Sequence, residues 1–97
     1  MAVIDHDPAF WPNVPKGESL FIHKLAVVRR FAGQGIADAM IDHAKAMCMG
    51  RGIAVLRLDC HGARAKLRAV YERNGFMCVA ERVVLDRWHQ AFYECVL

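Results

Sequence analysis

The feature that constrains this chain most is a change of hydrophobic period in its first half. Leu20 to Val28 is rich in Leu, Phe, Ile and Val. A run this continuous predicts a strand covered on both faces rather than one that is half exposed. Within a few residues the chain passes through Gly33-Gln34-Gly35, after which apolar residues recur at Ile36, Ala37, Met40, Ile41, Ala44, Met47 and Cys48. Spacings of three and four place these on one stripe of a helix. The helix is expected to end near Gly50, with Arg51-Gly52 as a turn. Ile53 to Asp59 reads as a second strand. Arg64 to Asn74 reads as a second helix, with Leu67, Val70 and Tyr71 on one side and Gly75 in the left-handed position that closes it. Met77 to Leu85 and Ala91 to Leu97 read as two further strands, joined by a loop over 86–90. The predicted fold class is α/β, a mixed β-sheet in β-α-β-α-β-β order. The first strands are parallel through a right-handed crossover, and the last two are antiparallel.

Ahead of this pattern, residues 1–19 are expected to be irregular, because Pro8, Pro12, Pro15 and Gly17 break any periodicity. Val3-Ile4 is the one place there that reads as the stub of a strand. The folded domain is therefore assigned to 20–97. With 97 residues the chain holds one domain. Its 56% apolar content is high for that size, and its 24% charged content excludes a disordered, charge-rich chain. No apolar run is long enough to span a bilayer, and the first residues show no signal peptide, so a cytoplasmic protein without membrane contact is expected. Thirteen Lys and Arg against ten Asp and Glu are interspersed, which argues against a nucleic-acid partner. The four cysteines (Cys48, Cys60, Cys78, Cys95) form no C-x-x-C pair. They read as reduced apolar fillers, and no metal site is expected.

The turn after the first strand carries the chemistry. Glycines allow a positive φ and a close approach of backbone to ligand. The N–H groups at the start of the following helix lack intrahelical partners and sit at the positive end of its dipole. Arg29 and Arg30 add charge. A phosphate or pyrophosphate fits this arrangement, and so does a plain strand-to-helix turn with no ligand. A Walker loop is excluded by the absence of Gly-Lys-Ser/Thr. In a dinucleotide fingerprint the third glycine position would fall on Asp38.

Arg30-x-x-Gly33-x-Gly35, preceded by Leu25-Ala26-Val27, resembles the acetyl-CoA-binding motif of the GNAT (GCN5-related) N-acetyltransferases. Tyr71-Glu72-Arg73-Asn74-Gly75-Phe76 resembles the same family's later motif. The resemblance runs from Leu20 to Leu97. It implies a GNAT-like acyl-CoA-binding fold and acetyl transfer from acetyl-CoA to an amine of a small molecule or peptide by direct attack. It implies that backbone at Leu25, Ala26 and Val27 meets the pantetheine arm and the thioester, and that Arg30, Phe31, Ala32, Gly33, Gln34, Gly35 and Ile36 hold the pyrophosphate. Tyr71 is implied as the acid for the leaving thiolate; taken alone it reads as a core aromatic on a helix face. The family's Asn seven positions before that tyrosine is here Arg64, which offers a phosphate contact instead. His23, Glu18, Asp59 and His61 are the candidates for a general base.

Relative to the resemblance, the fold lacks its first strands and helices. That leaves the strand at 20–28 with an exposed edge, and such edges invite pairing. A homodimer is expected, with strand exchange one form of it. The alternative to an active enzyme is a truncated CoA-binding or dimerisation module with little or no catalysis.

Overall fold

The computed structural model describes residues 2–23 and 35–97. The elements in chain order are β1 (Ala2–Ile4), β2 (Leu20–His23), α1 (Ile36–Gly50), β3 (Val55–His61), α2 (Ala65–Arg73), β4 (Met77–Val84) and β5 (Trp88–Val96). The strands form one five-stranded mixed sheet in the order β1-β2-β3-β5-β4. β2 and β3 are parallel, with Leu20 opposite Leu56 and Ile22 opposite Leu58. β3 and β5 are antiparallel from Val55↔Val96 to His61↔Gln90, and β4 pairs antiparallel with β5. The fold is the mixed α/β sheet expected from the sequence.

Period-two alternation sorts the strands into two buried faces. On one face Leu20, Ile22, Leu56, Leu58, Cys60, Ala91, Tyr93 and Cys95 pack with Ile41, Ala44 and Cys48 of α1 and Tyr71 of α2. On the other face Phe21, Val84 and Phe92 pack with Trp11, flanked by Phe10 and Val14. The continuous apolar run of β2 is explained by this two-sided cover.

Residues 5–19 carry no helix or strand, as expected of an irregular segment, and the strand stub read at Val3-Ile4 is present. Ala2–Ile4 is a strand, pairing antiparallel with β2 from Ala2↔His23 to Ile4↔Phe21. The rest of the segment folds across the sheet. Trp11 is 8% exposed, with its ring 6.0 Å from Phe21 and edge-on to Phe92 at 5.1 Å. Arg82 donates to the Phe10 carbonyl and lies over the Phe92 ring. Arg57 donates to Ser19 Oγ and pairs with Glu94 at 2.7 Å. The prolines and Gly17 break periodicity without preventing burial, so the pattern gave no sign of this cover.

Two expectations change as a consequence. The exposed edge expected on the strand at 20–28 is occupied along Phe21–His23 by β1, while 24–28 lie outside the described residues. The loop expected over 86–90 is shorter. β5 starts at Trp88, because Trp88, His89 and Gln90 continue the ladder with Val84, Val83 and Arg82. Leu85 and Asp86 make the turn, with φ of 55° and 57°. Cys48, Cys60 and Cys95 are buried free thiols, as their filler role requires, whereas Cys78 is exposed on β4.

Candidate functional site

The site lies where the start of α1, the length of α2 and the C-terminal end of β3 come together. α1 begins at Gly35, which has φ +74° and provides no side-chain cap. An L-residue rarely adopts that backbone, so a glycine is required there. With no side chain, Gly35 offers no acceptor of its own to the first-turn N–H groups of α1. Asp38 in that first turn is tied to the end of α2. Arg73 donates to it through Nε at 3.1 Å and Nη2 at 2.7 Å, and Asn74 Nδ2 donates at 2.8 Å. Arg73's hydrogen bonds, then Asn74's, hold the Asp38 carboxyl below the usual carboxylate range. Asp38 is therefore the clasp between the two helices.

The end of α2 is a Schellman cap. Phe76 N–H donates to the Tyr71 carbonyl at 3.1 Å and Gly75 N–H to the Glu72 carbonyl at 3.2 Å, with Gly75 at φ +89°. The hydrophobic contact that accompanies such a cap is made by the Tyr71 and Phe76 rings, 6.0 Å apart. Lys45 of α1 donates to the Asn74 carbonyl, adding a cation at the negative helix end. The Tyr-Glu-x-x-Gly-Phe sequence is thus read locally: tyrosine, glycine and phenylalanine are the parts of one helix terminus.

Tyr71 is 2% exposed and meets Tyr93 edge-on at 5.5 Å. Burial pushes its phenol well above the ordinary value, and the charges of Cys60 and Asp59 add to the shift. Arg64, at the N-cap of α2, pulls in the opposite direction. Arg64 is exposed, two helical turns before Tyr71. The Cys60 thiol is raised to about 11, mainly by burial.

Of the residues expected to bind the cofactor, the structure places Gly35 and Ile36 at the start of α1 and Arg64 at the start of α2. Leu25, Ala26, Val27, Arg30, Phe31, Ala32, Gly33 and Gln34 lie outside the described residues. Among the base candidates, Glu18 and His61 are exposed, whereas His23 and Asp59 line one cavity of about 160 Å³ with Phe10 and Ile22. Asp7, missed in the sequence, faces His23 from the N-terminal segment at 3.1 Å. Asp7-Pro8 opens a single turn, with the Trp11 and Phe10 N–H groups donating to the Asp7 carbonyl and Oδ1. That turn was the only sequence signal Asp7 carried.

Residues 2–76 match the model of the Acetyltransferase (GNAT) family. An uncharacterized N-acetyltransferase, YesJ of Bacillus subtilis, is 34% identical over 70 residues, covering 72% of this chain and 39% of that protein. The mycothiol acetyltransferase of Beutenbergia cavernae is 33% identical over 72 residues, covering 74% of this chain and 24% of that protein. The chain thus spans less than half the length of either curated relative. The crystal structure of a GNAT family acetyltransferase from Elizabethkingia anophelis with acetyl-CoA bound shares the fold at a TM-score of 0.70 and 14% identity, covering 87% of this chain and 65% of that one. With its strands, its helix-end motif and a family model spanning more than half its length in agreement, this chain belongs to the GNAT acetyltransferase family, whose acetyl donor is acetyl-CoA.

Proposed function

We propose that this chain binds acetyl-CoA and transfers its acetyl group to a primary amine of a small molecule or peptide by direct attack. The observation that carries the reading is Tyr71, a buried phenol near the end of β3 and on the same helix as Arg64. The uncapped start of α1 at Gly35 supports the pyrophosphate contact, for which the sequence motif supplies Arg30 to Ile36. Arg64 supplies a cation for a phosphate oxygen. Backbone at Leu25, Ala26 and Val27 is assigned to the pantetheine arm and the thioester carbonyl.

In this scheme Tyr71 delivers a proton to the leaving sulfur as the C–S bond breaks. In water a phenol near 10 is a weaker acid than a thiol near 8.5. Burial raises a phenol and a thiol alike, as Cys60 demonstrates in the same neighbourhood, so Tyr71 enters the reaction protonated and gives up its proton only as the C–S bond breaks and charge gathers on the sulfur. The test is calorimetry with acetyl-CoA followed by thiol release with a panel of amines. Saturable binding and amine-dependent release are expected. Binding without release would reduce the chain to a CoA-binding module, and no heat at all would overturn the reading.

Self-association belongs to the same proposal. β4 pairs only with β5 among the described residues and exposes Met77, Val79 and Val83. An apolar strand edge of this kind is suited to an antiparallel partner, and a second copy through β4 is the form proposed. Light scattering after size exclusion is expected to give twice the chain mass at micromolar concentration; a monomer mass would discard this arrangement.

A further inference from the structure

Three ionisable side chains from distant parts of the chain converge on the cavity beside Ile22. His23 is the residue after the last paired position of β2, and Asp59 is the residue after its partner Leu58 on β3. The two therefore stand side by side on the sheet face opposite α1 and α2. Asp7 reaches them from the N-terminal segment. Its side chain is 7% exposed, and its Oδ2 lies 3.1 Å from His23 Nε2. Among the described residues neither atom makes a hydrogen bond, so the pair is held by proximity and charge, with its geometry still short of a formed hydrogen bond. Two lone pairs would repel at that distance, so a carboxylate at Asp7 favours the proton on Nε2. A neutral His23 then carries its lone pair on Nδ1. Asp59 is half-buried, accepts from Gln90 Nε2 at 2.8 Å, and is raised by desolvation. Phe10 and Ile22 supply apolar wall. The cavity thus combines a carboxylate, an oriented imidazole and a short apolar lining, which suits a primary ammonium on an apolar tail.

We propose that Asp7, His23 and Asp59 form the acceptor-amine pocket, with Asp59 holding the ammonium and His23 Nδ1 accepting its proton. The assignment rests on the acetyl-transfer reading above. Asp7 is a positioning residue that fixes the His23 tautomer, in the manner of a carboxylate behind a catalytic histidine. The ammonium gives one proton to His23, which passes it to solvent. The freed lone pair forms the C–N bond to the thioester carbon, and collapse of the adduct breaks the C–S bond. The sulfur takes the Tyr71 proton, the adduct nitrogen loses its second proton to solvent, Tyr71 regains one from solvent, and the net reaction releases one proton. His23 acts through a free lone pair on Nδ1.

The experiment uses the whole chain labelled with ¹⁵N-histidine, with butylamine as the probe at fixed pH. Butylamine is expected to shift the His23 ring nitrogens in the native chain, and not in Asp59→Asn, an isosteric variant whose folding is checked by its remaining histidine signals. Unmoved His23 signals in the native chain, or an equal shift in Asp59→Asn, would overturn the pocket. In thiol-release assays His23→Gln is expected to lose about 100-fold in turnover while the KM for acetyl-CoA stays within a few-fold; turnover retained in full removes His23 from the proton step. A native chain that releases no thiol with any amine refutes the acetyl-transfer reading, while the butylamine titration still decides whether the pocket binds amines.

Discussion

Trp11→Ala is expected to lower the free energy of unfolding by about 3–5 kcal/mol, the usual range for emptying a buried aromatic site. A chain of this size has a total stability of roughly 5–15 kcal/mol, so the loss removes about a fifth of it or more. Trp11 is 8% exposed and fills the second sheet face together with Phe21, Val84 and Phe92. Its edge-on contact with Phe92 and tilted contact with Phe21 add to plain burial. Arg57 also lies 5.5 Å from the Trp11 ring centroid, so the substitution weakens the setting of a nearly buried guanidinium. The expected result is a lower urea midpoint with an unchanged slope, and Trp11→Phe should recover much of the difference. A loss below about 1 kcal/mol would place the variant with ordinary surface changes, and would mean that the N-terminal segment does not cover the sheet in solution.

Tyr71→Phe is expected to lower turnover by about 100-fold, within the range for removal of a positioned proton donor, while acetyl-CoA affinity stays within a few-fold. The ring remains, so its contacts with Tyr93 and Phe76 and the helix cap persist. Only the phenolic proton is lost. Burial holds that phenol above its ordinary value, so it stays protonated throughout the working range and contributes no limb of its own to the pH profile near neutrality. Unchanged turnover, with thermal stability also unchanged, would assign Tyr71 to packing alone.

Legibility in the sequence followed the range of the interactions. The stripe Ile41, Ala44, Cys48 on α1 and the Tyr71 to Phe76 cap are local, formed within a few residues, so spacing alone located both. The parallel direction of β2 and β3 followed from the crossover rule applied to a strand, helix and strand in series, whereas the register that sets Leu20 opposite Leu56 came from the structure. Trp88, His89 and Gln90 looked like loop because they are polar or exposed. Their strand conformation comes from pairing with Arg82, Val83 and Val84 across a turn that places Leu85 and Asp86 at positive φ.

The sequence by itself determined the order of elements, the glycine-led entry to α1, the tyrosine-bearing helix end and the family resemblance, because each is written within a short window of backbone geometry. The tertiary structure decided what covers the second sheet face, and which base candidates meet. Trp11 reaches Phe92 and Asp7 reaches His23 only after the proline-broken segment folds over the sheet. No periodicity encodes such contacts, because they depend on side chains far apart in the chain filling a common volume.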